Sequence, residues 1–162
     1  MIVPLLASSG FVLAVVVLCF VKPNAGRIFL GLFFLAMALG VNGTFTFGNP
    51  RAYLDYAQGA LIPAYAHLAT WIVSLSPVAF GLLVMAFEVT MGLLLLHRRR
   101  SVKVGLIGTM IFLVGIAPLS WLQLPWLGLI VAEGHLLRRE FDRSLVDMFS
   151  RKFSQEVAHA SR

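Results

Sequence analysis

PVAFGLLVMAFEVTMGLLLLHRRRSVK, residues Pro77–Lys103, decides the fold class. Its nineteen residues from Val78 to Leu96 are almost wholly apolar. As a helix they span roughly 28 Å at ~1.5 Å per residue, about the thickness of a bilayer's hydrocarbon core. The run ends against His97, Arg98, Arg99 and Arg100, with Lys103 just beyond. Such a basic cluster marks the cytoplasmic end of a membrane span. Halfway along sits a single carboxyl group, Glu88.

The rest of the chain follows the same alternation. Hydrophobic residues make up 59% and charged residues 12%, far from the ~25% charge of a soluble domain. The net charge is +6. All 13 Lys and Arg residues except Arg51 lie in or near 22–27, 98–103 and 138–162, between apolar runs. A nucleic-acid groove needs basic residues interleaved with exposed aromatics on one face, so that class is excluded. The single cysteine, Cys19, makes no intramolecular disulfide and reads as a packing residue.

Working outward, Ile2–Val21 reads as a first helix. No basic residue precedes Lys22, so a retained helix with its N-terminus outside is expected rather than a cleaved leader. Arg27–Phe47 reads as a second helix. Its Ala36 and Gly40, four apart, predict a face that another helix approaches closely. Asn42-Gly43-Thr44 matches a glycosylation acceptor, but its place at a helix end argues against that use. Gly48–Ser76 opens with the polar, turn-rich GNPRAYLDYAQGA (48–60) and contains the short apolar segment Pro63–Leu75. Tyr65, His67 and Trp71 suit that segment to a helix at the outer membrane interface.

Val102–Ala117 reads as a fourth span and Leu119–Leu137 as a fifth, with Trp121 and Trp126 anchoring its outer end. Val104–Ala132 as one kinked helix is the competing map. Charge parity decides: five spans keep Arg138, Arg139, Arg143, Arg151, Lys152 and Arg162 in the cytoplasm. The expected architecture is therefore an all-α integral membrane protein with five transmembrane helices, N-out and C-in, in the cell membrane. Residues 1–137 form the transmembrane bundle and 138–162 a basic cytoplasmic tail. Leu137, Phe141, Leu145, Met148, Phe149 and Phe153 recur at helical steps, so Leu137–Phe153 reads as an amphipathic helix for anionic lipid or a soluble partner.

Glu88 is the strongest candidate for chemistry. A carboxylate at mid-bilayer costs roughly 2.5–3.5 kcal/mol on insertion scales, so it faces the bundle, carries a proton or meets a partner. Two readings stand side by side: an acid that carries a proton or orients a ligand, and a protonated side chain that joins helices. Thr90, Asn42, Thr44, Thr109 and Gln123 are the polar groups available to it. His67 would close the outer end. The pocket expected from sequence is thus Glu88, Asn42, Thr44, His67 and Gln123. Glu133 and His135 are two apart on a helix and point in different directions, so they make no metal pair. His67, His97, His135 and His159 all lie away from mid-span, and no metal, haem, nucleophile-elbow or phosphate-loop spacing is present. No catalytic motif is visible, and no cofactor follows from these residues.

Three segments together carry a family resemblance: GRIFLGLFFLAMALGVNG (26–43), FEVTMGLLLL (87–96) and VKVGLIGTMIF (102–112). The chain resembles the DoxX-like family of small polytopic membrane proteins over about residues 26–136. Glu88, Gly92 and Leu93–Leu96 match its acid and GLLL-type run, and Arg27 and Gly31 match its opening helix. The resemblance implies a four-helix bundle core, to which Ile2–Val21 adds an N-terminal helix. It also implies an accessory subunit of a membrane-associated redox complex, with a quinone as a possible ligand and another membrane protein as partner. The chain lacks the cysteine pair of the family's thiol-bearing members. A proton-linked carrier or channel and a purely structural scaffold are the alternatives. A tryptophan-rich tetrapyrrole sensor is disfavoured by the three tryptophans and the lack of a rich aromatic motif.

Overall fold

The computed structural model describes residues 2–142, 144 and 145. Four of its helices are long and apolar enough to cross a membrane: α1, Ile2–Val21; α2, Pro23–Gly48; and two more introduced below. Between α1 and α2 stands only Lys22, and Pro23 opens α2 at a position where a missing N–H costs nothing. This hairpin is so tight that a Cβ on Gly26 would lie 2.6 Å from the Cys19 sulfur. A short α3, Ala52–Gln58, and α4, Pro63–Leu75, follow. The long helix α5 is Pro77–Leu96; Ser76 caps it by accepting from the Ala79 N–H at 3.2 Å. Helix α6 is Arg100–Ile116, extended by the 3-10 turn Ala117–Leu119. The shorter α7, Leu124–Leu137, starts as a 3-10 turn at Leu124–Leu127.

Helix α1 packs on α2 and α7, α2 on α5, α5 on α6, and α6 on α7, so five helices close a ring. The kinked single helix over Val104–Ala132 does not form. Pro118 and Pro125 break the run, and the chain reverses: Arg99 N–H at the start of α6 donates to Phe141 O just past the end of α7, at 2.7 Å. One end of the ring thus carries Lys22, Arg98–Arg100, Lys103 and Arg138–Arg139. It is called the basic end. Helices α3 and α4 cap the other end.

Several elements differ from the sequence expectation. Helix α2 begins four residues earlier than Arg27 and contains a π-helical stretch, Met37–Asn42. The polar stretch after Gly48 holds a helix, α3, which Asn49 starts by accepting from the Ala52 N–H at 3.0 Å. The fifth helix begins at Leu124 instead of Leu119. Ala36 and Gly40 are exposed, and a Cβ on Gly40 would meet nothing within 4 Å. The close crossing lies elsewhere, at Gly31 and Gly92 between α2 and α5. Trp126 is half-buried, stacked on Phe33 at 5.4 Å, so it is not a peripheral anchor. The amphipathic helix expected over Leu137–Phe153 falls largely outside the described residues; within them the helix stops at Leu137 and 138–142 is turn and irregular chain.

The turn between α5 and α6 holds a strained backbone. Arg99 has φ 55° and ψ −126°, a conformation that suits glycine. Its side chain reaches Asp142 at 3.9 Å, but both groups are 75% exposed, so the ion pair is worth little. Arg99→Gly should therefore stabilise the protein by about 1–2 kcal/mol, read as a higher unfolding midpoint in detergent. An unchanged or lower midpoint would show that the side chain matters more than the backbone.

Candidate functional site

Packing along the ring is uneven. One cluster, including Cys19, Leu30, Leu95, Leu106 and Leu136, fills the bundle from the basic end inward. A second, around Tyr53, Ala57 and Val73, lies under the cap. Between them the helices form a partly open cavity of about 540 Å³. Phe34 and Leu113 belong to the first cluster and to the cavity wall; Tyr53, Ala57 and Val73 belong to the second and to the wall. The volume lies within the ~300–1,000 Å³ usual for small-molecule sites.

Glu88 lines this cavity and is only 2% exposed. Its Oε2 accepts a hydrogen bond from Asn42 Nδ2 at 2.7 Å. Asn42 ends the π-helical stretch, a widened turn of the kind that gathers at functional sites. The other face of the same amide is also fixed: Tyr53 O–H donates to Asn42 Oδ1 at 3.0 Å and lies 3.1 Å from the Asn42 carbonyl. Thr46 Oγ1 is 3.0 Å from the Tyr53 hydroxyl. With the phenol donating to Asn42, Thr46 donates to the phenol. The result is a one-directional chain, Thr46 to Tyr53 to Asn42 to Glu88. Burial raises the Tyr53 pKa, with the nearby Glu88 charge adding and the Thr46 bond opposing. The phenol therefore remains a donor at neutral pH. The chain uses one carboxyl oxygen; among the described residues, no hydrogen-bond donor meets the other.

The remaining sequence candidates separate. Gln123 lines the cavity. Thr44 does not; it is turned away and bonds Gly40 O on its own helix at 2.6 Å. His67 is exposed on α4, off the cavity wall. Thr90 is exposed and bonds Ala86 O. Thr109 is fully buried but adjoins Glu133, not Glu88. Among the described residues, no three His, Cys, Asp or Glu side chains group to hold a metal.

No family model, curated protein or solved structure matches the chain. The site must therefore be read from its own chemistry.

Two residues gain weight that their sequence positions did not give them. Tyr53 is one; it arrives on a separate short helix after a proline break. Glu133 is the other, a second buried acid on α7 toward the basic end. It is fully buried, and among the described residues neither carboxyl oxygen has a hydrogen-bond partner. Thr109 lies beside it, but its hydroxyl is directed at Gly105 O (3.0 Å) and Leu106 O (2.9 Å). A buried polar group without a partner costs about 1–3 kcal/mol, so Glu133→Leu should raise stability by about that amount. Thermal unfolding checks this; a lowered midpoint would mean that the carboxyl is held by a bond the geometry does not show.

Proposed function

We propose that this chain is a DoxX-like membrane protein whose cavity binds a small, largely apolar ligand, such as a quinone or lipid, beside Glu88. In this reading α1, α2, α5, α6 and α7 all cross the cell membrane, N-out and C-in. The cavity then lies in the outer half of the bilayer, and the basic end faces the cytoplasm, as the positive-inside rule favours. The protein acts as an accessory subunit, supporting a membrane-associated redox complex through a protein partner, and membrane lipids surround it.

The observation that carries this reading is Glu88 itself. A carboxyl used only as glue between helices would satisfy itself against its neighbours. Here one oxygen is oriented by Asn42 and Tyr53 while the group lines an open cavity. Convergent polar groups in an apolar cavity are the usual form of a ligand site.

Native mass spectrometry of protein purified in mild detergent tests it. Wild type should carry a bound small molecule that Glu88→Gln loses, while both elute alike. An empty wild-type cavity would contradict the reading.

Glu133 favours a second reading, a proton-linked carrier. Two buried acids at different depths are what a proton path through a bundle needs. Acidification of liposomes containing the protein, lost in Glu133→Gln, would favour this reading over the first.

A further inference from the structure

The cavity wall is chemically one-sided. Among the described residues it contains one carboxyl group, Glu88, and no Lys, Arg or His. Nine of its lining residues are aromatic, among them Phe34, Phe45, Tyr53, Phe80, Phe112 and Trp126. Aromatic faces carry negative potential and attract cations within about 6 Å of a ring centroid. Rings combined with a carboxylate therefore form a lined negative site with no counter-charge of its own.

Granting the reading that the cavity is a ligand site, we infer that its preferred ligand is a lipophilic organic cation, a protonated amine or a quaternary onium group on an apolar body. Neutral amphiphiles fill the apolar volume but leave the carboxylate unpaired. Anionic phospholipid headgroups meet Glu88 with like charge and find no basic side chain in the wall. A cation meets both demands at once. Its charge pairs with the free carboxyl oxygen, and its apolar substituents replace hydration with ring contacts. In a dry site such a pair interacts far more strongly than in water. Asn42 donates to one Glu88 oxygen and the Tyr53 bond keeps the amide turned that way, which leaves the second oxygen to meet the cation.

Binding of tetraphenylphosphonium to the full chain in detergent tests this, with a decyl-substituted benzoquinone as the neutral comparator. The cation should bind. Glu88→Gln should weaken it about thirtyfold or more, the effect of removing one partner of a buried charge pair. Glu88→Asp keeps the charge and should retain most of the binding, which separates charge from fold. Trp126→Leu should weaken it about three- to tenfold, and Trp126→Phe should restore most of that loss. If the quinone binds in a Glu88-dependent way and the cation does not, the cavity reading stands and the cation inference falls. If neither binds, both fall. Cation binding that Glu88→Gln leaves unchanged also overturns the inference.

Discussion

Replacing Arg27 with Met should destabilise the folded protein by about 2–4 kcal/mol, lowering the unfolding midpoint by roughly 5–15 °C. Arg27 is fully buried at the basic end, although its neighbours in sequence mark an exposed turn. One guanidinium nitrogen donates to His97 O at 2.6 Å, at the end of α5. Another donates to Asn24 Oδ1 at 2.9 Å, on the first turn of α2. The Phe141 ring, beyond α7, covers the guanidinium at 4.9 Å. One side chain thus ties three parts of the ring together. Met fills much of the same space but leaves the His97 carbonyl without its donor and removes the cation–ring contact. Arg27→Lys should recover only part of the loss, since an ammonium cannot reproduce the planar fork. A variant as stable as wild type would show that the three elements hold together without the latch.

Gly92→Leu should have a larger effect still: loss of most folded, detergent-stable protein. A Cβ on Gly92 would lie 2.8 Å from the Gly31 carbonyl oxygen and 2.9 Å from Leu35 Cγ. The first of these is backbone and cannot rotate away, so α2 and α5 must separate. Overpacking against movable side chains costs about 1–3 kcal/mol; against backbone the cost is higher. Gly31→Ala is expected to be milder, because its nearest neighbour is the movable Leu96 side chain at 2.8 Å and the backbone oxygen of Gly92 stands farther off at 3.0 Å. Gly40→Ala, with nothing within 4 Å, should be close to neutral. Size-exclusion profiles of the three variants should therefore rank Gly92 worst and Gly40 best. The reverse order would place the close helix contact at Ala36 and Gly40 after all.

That ranking also shows where sequence reasoning reaches and where it stops. Apolar length is a property of one segment, so the ends of α1, α4 and α5 were readable to within a residue or so. Glu88 stood out for the same reason, because a lone acid in an apolar run is costly wherever its neighbours lie. Asn42 could be named but not oriented: the π-helical turn that aims it at α5 has no plain mark in the residues. Choosing Gly31 over Gly40 needs the helix face that meets a neighbour, and both glycines fit a small-residue pattern equally well. Thr44 and Thr109 were polar candidates, yet both hydroxyls bond their own helices, and Thr109 adjoins Glu133 instead of Glu88. Tyr53 reaches Asn42 only because α3 folds back over the end of α2, a tertiary event that no local pattern encodes. Glu133 was visible as an acid, but its place at the inner end of the fifth helix did not show that packing would bury it fully. Orientation and span count rest on charge placement, and the partner rests on the DoxX-like resemblance.

A ligand site at Glu88 requires its carboxyl to be sheltered inside the ring with a ligand-sized space beside it. An experimental structure in lipid nanodiscs tests this most directly. It should show the carboxyl within hydrogen-bond distance of Asn42 Nδ2, and ligand density in the cavity meeting its second oxygen. A carboxyl turned outward to the acyl chains, with Phe34, Phe80 and Phe112 collapsed into the vacated space, would contradict it.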